Sequence, residues 1–179
     1  MTSLIAGIYL AFSRVQAESR ASQRLLNDSQ YALEMMARES RNSLIFHLSP
    51  QGPVCQDKLG PGINNCILLL KEEGLLTAFV LVENILYHVI LSCDQNYENC
   101  STWNSNNSYT AALLGSEINN VSVEELEFYI RPQTDPYSGY SDLQPRVTIK
   151  LKTEYASQRV IEQVSSNLQT SVSSRIYRR

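Results

Sequence analysis

The first forty-three residues contain no proline and one glycine, Gly7. Nothing in that stretch removes a helical hydrogen bond, so residues 3 to about 43 are predicted to form a single uninterrupted helix. Two regimes follow each other along it. Leu4-Ile5-Ala6-Gly7-Ile8-Tyr9-Leu10-Ala11-Phe12 is apolar nearly all round, which suits lipid or other helices. From Val15 onward the apolar and small residues recur at spacings of three, four and seven: Val15, Ser22, Leu25, Leu26, Ser29, Ala32, Leu33 and Met36. That spacing draws one stripe along the helix, the signature of a helix lying on a sheet. Arg14, Glu18, Arg20, Arg24, Asp28, Glu34, Arg38 and Arg41 fall mostly off it. Glu34 and Arg38, four apart, are placed to pair.

Beyond residue 43 the periodicity changes to strands and turns. Ser43 to Leu48 reads as a short strand, and Cys66-Ile-Leu-Leu-Leu70 as a buried one. Thr77 to Val82 and Ile85 to Leu91 read as a pair joined at Glu83-Asn84, since asparagine tolerates positive φ. Val121 to Ile130 and Arg146 to Tyr155 are further strands. Val160 to Ile176 is rich in Val, Ser and Thr and fits a strand or a helical turn equally. Turn residues cluster at 49–53, 60–62 and 132–142, and residues 93–110 form the longest irregular stretch. A helix followed by a run of strands predicts an α+β fold, with a long N-terminal helix (1–43: apolar 4–12, amphipathic 13–43) packed on an antiparallel β-sheet head (44–179).

The length suits one domain with a real core, and no repeat of 20–50 residues is present. The formal net charge is −3. No basic block marks a nucleic-acid surface, and no nucleic-acid partner is predicted. Four cysteines, Cys55, Cys66, Cys93 and Cys100, include no Cys-x-x-Cys, and the two histidines, His47 and His88, do not complete a zinc quartet. An even count in loop-like segments reads as disulfides formed in an oxidising compartment. Three pairings are open, of which Cys55–Cys66 with Cys93–Cys100 would clip the shortest loops. Residues 4–12 fall short of the roughly 20 apolar residues that a membrane span needs. The expectation is that the apolar segment continues upstream of Met1.

Chemistry-bearing patterns are absent. There is no Gly-x-Ser-x-Gly, no phosphate-cradling glycine loop and no His-Glu-x-x-His. His47 and His88 stand in apolar contexts that suit structural histidines. Glu125 and Glu127 should share a solvated strand face, with Glu124 beside them and Leu126 and Phe128 alternating between them. Asp135 and Asp142 sit in a loop that lacks a calcium-loop pattern. Asn99, Asn106 and Asn120 begin Asn-x-Ser sequences. No enzyme, cofactor or metal is predicted.

The order of these segments resembles the type IV pilin and type II secretion pseudopilin family, in particular its minor subunits. Ile5 to Phe12 is similar to the second half of the family's membrane helix. Ser22-Gln-Arg-Leu-Leu-Asn-Asp-Ser-Gln-Tyr-Ala-Leu-Glu-Met-Met-Ala-Arg-Glu-Ser-Arg41 is similar to the stretch where that helix leaves the membrane and packs on its sheet. Val121 to Phe128, Gln144 to Lys152 and Leu168 to Arg175 resemble its strand ladder. The family's cleaved basic leader and the glutamate at the fifth mature position have no counterpart here; the first acidic residue is Glu18. The resemblance implies a filament subunit in the cell envelope, held in the cytoplasmic membrane before assembly, whose partners are other pilin or pseudopilin subunits. Carried onto this sequence, it puts Leu4, Ile5, Ile8, Tyr9, Leu10 and Phe12 in a filament-core helix bundle. It puts Leu25, Leu26, Ala32, Leu33 and Met36 between helix and sheet. The other reading of the same layout is a membrane-anchored extracytoplasmic domain that binds a ligand or a surface.

Overall fold

The structure, a computed structural model, describes residues 2–46, 59, 65–71, 75–93, 110–133, 143–155 and 163–175, with side chains from Ile5 onward. Helix α1 spans Thr2–Arg41 without interruption. It is followed by β1 (Leu44–Ile45), β2 (Cys66–Leu70), β3 (Leu75–Val82), β4 (Ile85–Ser92) and β5 (Thr110–Leu114). A four-residue helical turn, α2 (Ser116–Asn119), leads to β6 (Val121–Arg131), β7 (Arg146–Tyr155) and β8 (Ser165–Ser173). Every strand pair among the described residues is antiparallel, and the fold is α+β.

Among the described residues the head holds two sheets where one was expected. One has the order β1-β2-β3-β4-β5 and the other β6-β7-β8. The break lies at Gly115–Asn120. Ile118 N and Asn119 N both donate to Gly115 O, Asn119 Oδ1 accepts from Gly115 N, and Asn120 takes the left-handed conformation (φ 57°) that ends the turn. The chain therefore leaves β5 in one sheet and enters β6 in the other. The two stay in touch through Val123 N, which donates to Asn84 O at 3.0 Å.

Glu83 and Asn84 make the two-residue hairpin between β3 and β4, both with positive φ (49° and 64°), and the register closes at Val82 opposite Ile85. Positive φ at both central positions marks a turn whose twist matches the flanking strands. Within the stretch expected as strand or helical turn, Ser165–Ser173 is strand β8, set by nine consecutive pairings with β7. Thr110–Leu114, expected as loop or left unassigned, is a strand paired to β4.

One core joins α1 to both sheets. Leu25, Ala32, Leu33, Met36 and Ala37 of α1 meet Val121, Val123, Leu126, Val147, Ile149, Leu151 and Val172 of one sheet. The other sheet contributes Ile67, Leu69, Phe79, Leu86 and Leu114. The opposite face of the five-stranded sheet buries a second cluster, including Leu68, Ala78, Val80, Val89 and Leu91. Burial on both faces explains why β2 reads as a continuous apolar run with no alternation. In β6 the register slips between Val123 and Glu125, so Glu124 is the extra residue of a bulge. That bulge lets Val121, Val123 and Leu126 all face the core despite their uneven spacing.

Candidate assembly surface

Helix α1 is seated on the head by a stripe of small and apolar residues: Ala21, Leu25, Ser29, Ala32, Leu33, Met36, Ala37 and Ser40 are all buried. Successive members are one, three or four apart, which keeps them on one face. Polar pins hold the register. Ser29 Oγ and Thr153 Oγ1 are 2.8 Å apart inside the interface. Arg175 N donates to Arg41 O at 2.9 Å, and Ser174 Oγ to Ser43 O at 2.8 Å. The first of these satisfies a carbonyl that the end of a helix would otherwise leave unpaired. Lys71, just past β2, makes a 2.6 Å ion pair with Glu39. Arg38 lies 3.9 Å from Glu39, and among the described residues it makes no ion pair with Glu34, the partner its spacing suggested.

Four of the five residues expected between helix and sheet are there: Leu25, Ala32, Leu33 and Met36. Leu26 is not. It is 40% exposed, and Val15 and Ser22 are exposed as well. The reason is angular. At 100° per residue, Leu26 stands 100° from Leu25 and falls near the line through Ile8, Phe12 and Val15. Ile5, Ile8, Phe12, Val15, Ser19, Ser22 and Leu26 are spaced alternately three and four, and all are exposed. The single stripe expected from the spacing is two stripes in the structure. One faces the sheets and the other, roughly a quarter-turn away, faces outward. Ala21, Ala37 and Ser40 also belong to the buried stripe, and their spacing from Leu25 and Met36 is the signal that places them there.

Among the described side chains of α1, none before Ala21 is fully buried. Thr2–Arg20 therefore projects for about 28 Å. Ile5, Ile8, Tyr9, Leu10 and Phe12 are each more than half exposed, Tyr9 reaching 71%; the side chain of Leu4 lies outside the described residues. No helix among the described residues is long and apolar enough to cross a membrane.

An open groove of about 710 Å³ runs between α1 and β8. Gln30, Tyr31, Leu33, Glu34, Met35, Ala37, Arg38 and Arg41 line one side, and Leu168, Gln169 and Thr170 the other.

The remaining candidates are structural or fall outside the described residues. His88, on β4, stacks on Phe79 with ring centroids 4.8 Å apart. Burial pushes its pKa below the ordinary value, Glu39 works against that shift, and Lys71 and Arg38 reinforce it. Glu125 and Glu127 do share a face, opposite Lys152 and Lys150 of β7. Tyr129 Oη donates to Glu127 at 2.6 Å, and Lys150 Nζ sits 3.5 Å from the same carboxylate and 4.6 Å from the Tyr129 ring centroid. The Tyr129 hydrogen bond, then the Lys150 charge, hold Glu127 below its usual pKa. This is a cross-strand ladder. No group of three or more His, Cys, Asp or Glu among the described residues could hold a metal. His47, Asn99, Asn106, Asp135 and Asp142 lie outside the described residues.

Cys66 and Cys93 are each disulfide-bonded. Cys66 stands opposite Val80, whereas Cys93 follows Ser92, which stands opposite Leu75. Five positions of strand put them about 17 Å or more apart, far beyond the reach of one disulfide. The register thus excludes a Cys66–Cys93 bond. Cys55 and Cys100, the partners in both remaining pairings, lie outside the described residues.

Comparison with protein-family models, with curated proteins and with solved structures finds no match for this chain.

Proposed function

We propose that this protein is a structural filament subunit, a minor pilin or pseudopilin of a type IV pilus or type II secretion-like filament, which assembles through its N-terminal helix and catalyses nothing. The observation that carries the reading is the division of α1. One continuous rod has a C-terminal half fixed to the head by a buried stripe and by the Ser29–Thr153, Ser174–Ser43 and Arg175–Arg41 hydrogen bonds. Its N-terminal half presents Ile5, Ile8, Phe12 and Val15 to the outside. Contiguous exposed apolar surface on a rigid support is a surface for burial against a partner. Helices of neighbouring copies would bury it, and the heads would tile the outside of the assembly. Disulfides at Cys66 and Cys93 fit an extracytoplasmic head.

A second reading, a membrane-anchored extracytoplasmic binding domain, draws on the groove between α1 and β8. The N-terminal residue and intact mass of the protein purified from its native membrane separate the two. A chain beginning upstream of Met1 at a methylated apolar residue, with a glutamate four positions on, supports the filament subunit. A chain beginning at Met1 or Thr2 removes extraction from the membrane as a mechanism and leaves the binding domain as the better account.

A further inference from the structure

Among the described residues, strand β8 is an edge strand, hydrogen-bonded to β7 on one side only. Natural sheets blunt such edges with charge, proline, bulges or brevity. The other described edges show such devices. β1 is two residues long, β5 is five residues long with an irregular register, and β6 is met by Asn84 at Val123 N. β8 has none of these; a helix can also cover an edge, and α1 runs beside β8 but leaves an open groove between them. The strand is nine residues long, Ser-Ser-Asn-Leu-Gln-Thr-Ser-Val-Ser, without charge or proline, and its register against β7 is unbroken.

The groove between α1 and β8 follows this edge. Three consecutive residues, Leu168, Gln169 and Thr170, line it. Side chains alternate between the faces of a strand, so a groove touched by three in a row borders the backbone as well as one face. Its apolar part is Leu33, Met35, Ala37 and Leu168. Its charged lining is Arg38 and Arg41 with one carboxylate, Glu34, which leaves an excess of positive charge, and Arg41 marks the end where Arg175 N bonds its carbonyl. Glu39 makes its short contact with Lys71, at 2.6 Å, and lies 3.9 Å from Arg38.

We infer that the open edge of β8 is a strand-addition site for an extended segment of a partner protein, with apolar residues at alternate positions and a carboxylate to meet Arg38 and Arg41. Main-chain bonds to β8 would supply affinity, and the groove would select the side chains. A second copy of β8 fits less well, because it carries no carboxylate for the two arginines. The inference goes beyond the filament reading and does not depend on it.

The test uses the full chain and a fluorescein-labelled nonapeptide, Asp-Asp-Val-Thr-Val-Thr-Leu-Thr-Thr, followed by fluorescence anisotropy. Two N-methylated versions block alternate amides on one side or the other of the peptide. Saturable binding is expected, weakened at least tenfold by one N-methylation pattern and far less by the other. A peptide with lysines in place of the aspartates should bind weakly, and Arg38→Glu with Arg41→Glu should reverse that preference. If this variant fails to fold, the N-methylated pair on the unaltered chain decides. Absence of binding, equal effects of both N-methylation patterns, or self-association of the chain through β8 would each overturn the inference.

Discussion

Leu25 and Leu26 are neighbours with the same side chain in opposite settings, and truncating each in turn tests the seating of α1. Leu25 is fully buried against the core that joins helix and sheets, while Leu26 is 40% exposed. Leu25→Ala removes buried methyl groups and leaves a cavity that the pinned helix is poorly placed to close. About 3 kcal/mol is expected, within the range of buried leucine truncations. For a chain of this size that corresponds to a fall in Tm of about 6–12 °C. Leu26→Ala should cost under about 0.5 kcal/mol, as surface substitutions do. Circular dichroism melts and urea midpoints of the two variants, measured side by side, give both numbers. Equal losses would refute the assignment of two separate stripes. Under the filament reading Leu26→Asp should leave the melt nearly unchanged and reduce incorporation into filaments.

Ser29→Ala should cost about 1–3 kcal/mol by leaving the Thr153 hydroxyl buried without its partner, whereas Ser29→Ala with Thr153→Val should recover most of that in a double-mutant cycle of urea melts. Glu83 has a φ of 49° without the tolerance of asparagine or glycine, so Glu83→Asn should stabilise the protein by about 0.5–1 kcal/mol, read as a raised urea midpoint. Burial lowers the pKa of His88 below 6.5, so the unfolded chain binds the extra proton first. Stability should therefore fall as pH drops below about 6.5, down to the lower folded value, and His88→Gln should flatten that part of the stability–pH curve. A slope unchanged in the variant would assign the effect to other groups.

The helix and most strands were legible because their signals are local. An unbroken stretch without proline, the alternation in β7 and the Glu83-Asn84 turn each act within a few residues. What stayed hidden depends on partners distant in sequence. Thr110–Leu114 contains Ala111 and Ala112, weak strand formers, and is a strand because it completes the edge of β4. β8 is mostly Ser, Thr, Asn and Gln and takes its identity from β7. The division into two sheets hangs on the left-handed turn at Asn120, which no alternation announces. Leu26 was misplaced because two stripes overlap on one helix and only the sheets decide which is covered.

The pins that seat α1 join the two ends of the chain. Ser29, Arg41 and Ser43 are matched with Thr153, Arg175 and Ser174, and the core residues of α1 face β6, β7 and β8. During synthesis the helix is made first and its seat last. At roughly 5–20 residues per second the ribosome takes about 7–27 s to pass from Arg41 to Arg175. For that interval the sheet-facing stripe and the projecting stripe are both uncovered on one amphipathic rod. The nascent protein is then stickier than the finished one, and whatever shelters it, a membrane surface or a chaperone, must let go of one stripe when the last strand arrives and keep hold of the other.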